Sequence, residues 1–271
     1  MTGTVGAAAS NVLSVADVHF SYGTGLEVLA GVSFQLGRGE VLALVGPSGC
    51  GKSTLLGALT GILPLGHGRV TWSDGDAGPR DGRSGRRFTL VFQHDTVLPW
   101  LTVEKNIAFG LRYTGLDRRA MRERVDMLLG LANLTSFRRA YPKALSGGMR
   151  RRVALLTGVA PLPRVLLLDE AFVGLDEPTR VGLHADLLKI VYELGLSVMF
   201  VTHDLGEAVS IADRVCLLSA RPTHVSEEYA IPFGHERDVR QVRERAEFQR
   251  IYSSLWHDLQ SQVQKAQTSD D

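Results

Sequence analysis

The apolar positions of this chain follow two rhythms. Between Leu13 and Leu36 they alternate with polar ones, as Leu13, Val15, Val18 and Phe20, then Val28, Leu29, Val32 and Phe34. Gly23, Gly25, Gly31 and Gly37 punctuate this stretch, and the pattern predicts two or three antiparallel strands. Further on, apolar residues come in short runs at 41–45, 88–92, 165–168, 197–201 and 215–218, unbroken but for Thr89 and the leading Ser197. Runs of this kind predict strands buried on both faces, as in a parallel sheet. Helical spacing fills the intervals, over 53–63, with Leu55, Leu56, Leu59 and Ile62 on one face, and over 103–113, 118–131, 145–157, 180–194 and 205–212. Ser146 stands where a cap for the fourth of these helices is expected.

Strand alternating with helix predicts an α/β sheet wound with crossovers. Phe248, Tyr252, Leu255, Leu259 and Val263 recur at helical spacing near the end, which predicts a helix packed outside the core, with a partner-binding helix as the alternative. The small and polar residues 1–11 read as a loose tail, and 73–87, dense in Asp and Gly, as a solvated loop. No internal repeat is visible.

Composition narrows the class. The chain has 271 residues, 44% of them hydrophobic, enough for one large domain or two. Lys and Arg number 30 against 29 for Asp and Glu, and this balance speaks against a dedicated nucleic-acid binder. Two cysteines, Cys50 and Cys216, cannot build a disulfide framework, so the chain reads as one from a reducing compartment. No apolar run approaches the roughly 20 residues of a membrane span. The first ten residues lack the basic start of a secretory signal. The expectation is a cytoplasmic protein that reaches a membrane only through a partner.

Residues Gly46-Pro47-Ser48-Gly49-Cys50-Gly51-Lys52-Ser53-Thr54 fill the pattern G-x-x-x-x-G-K-[ST], between an apolar run and a helical segment. Glycines let backbone N–H groups turn inward around a phosphate chain, and the helix start adds its positive end. Lys52 supplies a point charge for the β- and γ-phosphates, and the Ser53 hydroxyl a ligand for Mg²⁺. Cys50 occupies a variable position, where only its backbone counts. The run 165–168 ends in Asp169-Glu170. A carboxylate there can hold the metal, which is Asp169, and Glu170 can take a proton from an attacking water. Leu145-Ser146-Gly147-Gly148-Met149 precedes an Arg-rich helix, so Ser146 and the N–H groups of Gly147 and Gly148 make a second anion-binding start.

With that last motif the chain strongly resembles the ATPase subunit of ABC transporters, over roughly residues 12–225 and in the family's motif order. The resemblance implies an α/β fold: a P-loop NTPase (RecA-like) core with an N-terminal antiparallel β subdomain and an inserted α-helical subdomain. It places an ATPase domain at 12–235, the helical subdomain at about 94–158, and a C-terminal helical extension at 236–271. It implies ATP and Mg²⁺ as cofactors. Tyr22 sits where the family stacks an aromatic on adenine, and Gln93 matches the glutamine that senses Mg²⁺ and links the site to the membrane subunit. Leu145–Met149 is similar to the signature motif, residues 166–169 to Walker B and Glu170 to the catalytic glutamate. Asp176 in Gly174-Leu175-Asp176 resembles the D-loop, and His203 the switch histidine that contacts the γ-phosphate. In the family the signature faces the γ-phosphate held by another protomer, so two ATPs lie between two domains. The implied partners are a second copy, integral membrane permease subunits and, indirectly, a solute-binding protein. No nucleic acid is expected, and the implied location is the cytoplasmic face of the membrane, peripherally bound.

Some positions depart from the family. Ala171 stands where Pro usually follows the catalytic glutamate, and Arg151 where Gln is frequent. Leu156–Ala160 replaces the usual Ala-Arg-Ala stretch before Pro161 and Pro163. Leu98-Pro99-Trp100 and Ser219-Ala220-Arg221-Pro222 look like the importer subgroup for nitrate, sulfonate, taurine and related solutes. Trp100 has a second reading, as a residue packing the start of the helical region. A P-loop kinase would leave Ser146–Met149 and His203 unexplained. An ABC-type ATPase acting on nucleic acid or the ribosome is the rival, though such proteins commonly carry two ATPase halves or a long coiled coil.

Overall fold

The computed structural model describes residues 11–23, 25–73, 87–92, 96–235 and 237–269. In chain order the elements are β1 (Asn11–Ser21), β2 (Glu27–Gly37), β3 (Val41–Val45), α1 (Lys52–Thr60), β4 (His67–Trp72), β5 (Phe88–Val91), α2 (Val103–Phe109) and α3 (Arg118–Leu131). There follow α4 (Gly147–Val159), β6 (Val165–Asp169), α5 (Glu177–Leu194), β7 (Ser197–Thr202), α6 (Leu205–Ile211), β8 (Arg214–Leu218), β9 (Val225–Ala230) and α7 (Ala246–Ser269).

One sheet is antiparallel, ordered β2-β1-β4, and the other has six strands ordered β5-β6-β7-β3-β8-β9. In the larger sheet only β9 is antiparallel to its neighbour. The unbroken apolar runs are explained by what lies on each face. Val41, Ala43, Val45, Leu166, Leu168, Val198 and Phe200 point into a core shared with the helices. Leu42, Leu44, Val165, Leu167, Met199 and Val201 point the other way, into a core shared with β1, β2 and α1. Parallel register sets Val45 opposite Thr202, and Asp169 opposite Val201. The carboxyl ends of β3, β6 and β7 therefore finish level, and ligands of open α/β sheets bind at that edge.

Several expectations need correction. Helix α1 stops at Thr60 on left-handed Gly61, so Ile62 lies past its end and is 66% exposed. The segment 103–113 divides into α2 and a 3₁₀ turn at Gly110–Tyr113. β5 is an edge strand: Phe88, Thr89 and Leu90 are half-buried and Phe92 is exposed. β4 and β9 were not expected, because an edge strand such as Val-Ser-Glu-Glu-Tyr-Ala needs only one apolar face. In α7, Phe248 and Leu255 are buried in the helix-side core, whereas Val263 is exposed. Trp100 is 69% exposed and does not pack the helical region. Buried Asn106 holds that turn instead, accepting from Leu98 N at 2.7 Å and donating to Leu101 O at 3.1 Å. Asn11, read as the end of the tail, opens β1, and tail residues 1–10, residues 74–86 of the expected loop, Gln93 and Glu236 lie outside the described residues.

Candidate nucleotide site

The loop from β3 to α1 is shaped by its glycines. Gly49 and Gly51 both take positive φ, +73° and +118°. A Cβ on Gly51 would stand 2.7 Å from Val28 Cγ1, so the loop lies closer to β2 than any side chain would allow. Lys52 is nearly buried, its ammonium donating to Gly46 O and Pro47 O at 2.8 Å each. Cys50 is buried, and burial pushes its thiol up, away from reactivity.

A later segment braces this loop. Arg221 donates to Gly49 O, and Thr223 Oγ1 donates to Cys50 O. Thr223 is itself fixed through its N–H to Val28 O at 2.8 Å. The stretch Ser219–Pro222, read from sequence only as a subgroup mark, thus touches the phosphate loop.

Tyr22, Val28, Ser48, Gly49, Lys52 and Glu170, among others, line a cavity of about 380 Å³ over the loop. Tyr22 is 45% exposed, stands edge-on to Phe20 and places its hydroxyl 3.3 Å from Thr54 Oγ1. Across the sheet edge, Asp169 ends β6 half-buried. Burial, then the neighbouring Glu170, pushes its carboxyl above the usual range, while a hydrogen bond with Ser53 and the Lys52 charge act the other way. An oxygen pair such as Ser53 and Asp169 suits a hard cation such as Mg²⁺.

Glu170 adopts left-handed backbone, φ +47°, a sparsely populated conformation for a residue with a side chain. Its N–H donates to Val201 O at 3.1 Å, which pins the turn to β7. His203, just past β7, sets Nδ1 3.5 Å from Glu170 Oε1. Behind His203 lies a network that sequence reasoning missed. Fully buried His184 has Nε2 2.7 Å from Glu207 Oε1, and Thr202 Oγ1 donates to Glu207 Oε2. Phe172 packs edge-on to the His184 ring at 4.7 Å.

The second anion-binding start is elsewhere. Ser146 caps α4, its Oγ accepting from Met149 N at 3.3 Å. Ser146 and Gly147 are exposed, and Gly148 is buried where a Cβ would collide with Thr179 Cγ2. Asp176 caps α5, and the hydrogen bond from Thr179 holds its carboxyl below the usual range. Among the described residues, those lining the cavity over the phosphate loop include none from 145–149 and not Asp176.

A parallel sheet with a strand–glycine loop–helix unit at its centre, and Asp-Glu closing the strand two places away, defines a P-loop nucleoside triphosphatase. Residues 29–173 match the protein family described as ABC transporter. The aliphatic sulfonates import ATP-binding protein SsuB 1 of Pseudomonas aeruginosa is 40% identical over 235 residues, 86% of this chain and 92% of its own. The taurine import ATP-binding protein TauB of Escherichia coli O157:H7 is 38% identical over 223 residues, 82% of this chain and 86% of its own. The ATP-binding cassette MJ0796, solved as a dimer in a post-hydrolysis state bound to ADP and Pi, superposes with a TM-score of 0.68 at 27% identity, covering 81% of this chain and 98% of that one. This chain belongs to the ABC transporter family as an ATP-binding subunit, and it is an ATPase. Among the described residues no helix is long and apolar enough to cross a membrane.

Proposed function

We propose that two copies of this chain close on two ATP molecules and so drive a membrane importer for a small solute of the nitrate, sulfonate or taurine kind. The observation that carries this reading is the separation of the two anion-binding elements. The phosphate loop is enclosed by its own chain, whereas the cap of α4 is exposed and shares no wall with that cavity. A second copy supplies the missing half for each. The dimeric, nucleotide-bound cassette that superposes on this chain, and the import proteins to which it is similar, support the arrangement.

In this reading Tyr22 stacks on adenine, and the backbone of Gly46, Pro47, Ser48, Gly49, Cys50 and Gly51 with Lys52 and Thr54 cradles the phosphates. Lys52 exchanges the carbonyls of Gly46 and Pro47 for phosphate oxygens. Ser53 and Asp169, with Gln93, hold Mg²⁺, which neutralises phosphate charge when bound. Ser146, Gly147, Gly148 and Asp176 face the partner's nucleotide. Glu170, oriented by the turn at Val201, accepts a proton from water as that water attacks the γ-phosphate, and His203 steadies the geometry. The helical subdomain at about 94–158, with exposed Trp100, meets the integral membrane permease on the cytoplasmic face, and a solute-binding protein delivers cargo. Helix α7 of the C-terminal extension packs on the core through Phe248 and Leu255.

The test is ATP-driven pairing. In a Glu170→Gln background, ATP should convert the chain from monomer to dimer in light-scattering chromatography. Adding Ser146→Arg should keep nucleotide affinity and abolish the dimer. A dimer that forms undiminished in the double variant overturns the cross-protomer site. Recovery of the chain with an integral membrane permease from its own cells tests the importer.

A further inference from the structure

We propose that Asp17, His19 and His67 form a binding site for one divalent transition-metal ion of the zinc class on the antiparallel sheet, apart from the nucleotide site. Strand pairing brings the three together. β1 runs antiparallel to β4 with His19 opposite His67, and both ladders of β1 slip register between Val15 and Phe20. A bulge of this kind re-aims a side chain. At the slip Asp17 is left-handed, φ +51°, with its N–H donating to Ser33 Oγ at 2.9 Å. Two glycines make room: a Cβ on Gly68 would collide with Asp17 O, and one on Gly31 would stand 3.3 Å from Asp17 Oδ1.

Two donor pairs already stand near the separation of neighbouring ligands, each histidine on its own oxygen of Asp17. His19 Nε2 is 3.1 Å from Asp17 Oδ1, and His67 Nδ1 is 3.3 Å from Asp17 Oδ2. The three donors lie within 4.8 Å of one another. Tetrahedral zinc, with bonds of about 2.0–2.1 Å to nitrogen and oxygen, sets adjacent ligands roughly 3.3 Å apart. Among the described residues no other trio of His, Cys, Asp or Glu side chains meets at such distances.

A further carboxylate completes the device. Glu27 Oε1 lies 3.2 Å from His19 Nδ1. A carboxylate on one ring nitrogen fixes the tautomer and turns the other lone pair toward the ion, the usual support of a metal-bound histidine. Two imidazoles and one carboxylate suit Zn²⁺ or its transition-metal neighbours, not Mg²⁺ or Ca²⁺. His67 is 74% exposed at its side chain, which leaves the remaining coordination positions to water. The ion would clip the start of β4 to the end of β1, the strand that carries Tyr22 to the nucleotide cavity.

Calorimetric titration of the full-length, chelator-treated, nucleotide-free chain with ZnCl₂ tests the site, with far-ultraviolet circular dichroism as the check on folding. One Zn²⁺ per chain at micromolar affinity is expected. His67→Ala, at an exposed position, should weaken binding at least about 10-fold. Asp17→Asn, which keeps a residue tolerant of left-handed backbone, should do the same, and Glu27→Gln should weaken it within the roughly 10–100-fold range of an outer-shell partner. No uptake below millimolar zinc overturns the site. So does a stoichiometric ion whose affinity is unchanged in folded His67→Ala, since that ion sits elsewhere.

Discussion

The two anion-binding helix starts of this chain are built to opposite plans. The phosphate loop before α1 is surrounded: β2 lies against Gly51, Arg221 and Thr223 bond Gly49 and Cys50 from β8's exit loop, and Glu170 closes the far side. The start of α4 is held by the Ser146 hydroxyl and by Arg150, which donates to Leu145 O at 2.9 Å, and it opens to solvent at Ser146 and Gly147. One is preorganised inside a single chain, where fixed dipoles act without rearrangement. The other has a free side, which fits a surface to be completed by another molecule. Mutations should therefore act on chemistry and folding at the first, and on assembly with little folding cost at the second.

The largest expected effect is at Glu170. Replacing it with Gln keeps the shape of a strained turn while removing the carboxylate that the turn presents beside His203. ATP turnover should fall by about 10²–10⁴-fold, the usual contribution of a positioned general base, with nucleotide affinity retained. Single-turnover hydrolysis and equilibrium nucleotide binding, measured together, check it. Full turnover in the variant would move the base elsewhere.

His184 comes next. Its ring fills a fully buried position against Phe172 and is one of two side chains that satisfy Glu207. His184→Ala leaves a cavity and a buried carboxyl short of a partner, so stability should drop by about 3 kcal/mol. Urea unfolding reads the loss. Because Thr202 shares Glu207 and immediately precedes His203, turnover should also decline while ATP-driven pairing persists, separating the two halves again.

What the sequence shows of this arrangement follows burial and locality. The central strands β3, β6, β7 and β8 are visible because both faces are apolar, and the phosphate loop because its glycines, Lys52 and Ser53 are contiguous. The cap at Ser146 is visible for the same reason. β4 and β9 are hidden: each mixes polar and apolar residues at the border of a sheet. The network of His184, Thr202 and Glu207 is hidden as well, since three polar residues spread over α5, β7 and α6 form no contiguous pattern. The Asp17 cluster depends on a register slip and two permissive glycines, none of which periodicity records.

The smallest effect sharpens the contrast most. Ser146→Ala removes the side-chain acceptor for Met149 N at an exposed helix start, and loss of such a cap costs about 1 kcal/mol; Ser146→Gly costs only a few tenths. Neither residue touches the phosphate-loop cavity, so affinity of the monomer for nucleotide should stay unchanged in both. Pairing on ATP should still weaken in both, because each removes the hydroxyl and leaves the N–H groups of Gly147 and Gly148 in place. If pairing instead tracked helix stability, Ala would impair it and Gly would spare it. Thermal unfolding and ATP-dependent sedimentation of the two variants in the Glu170→Gln background therefore separate a cap that only holds α4 from a hydroxyl that faces a second molecule.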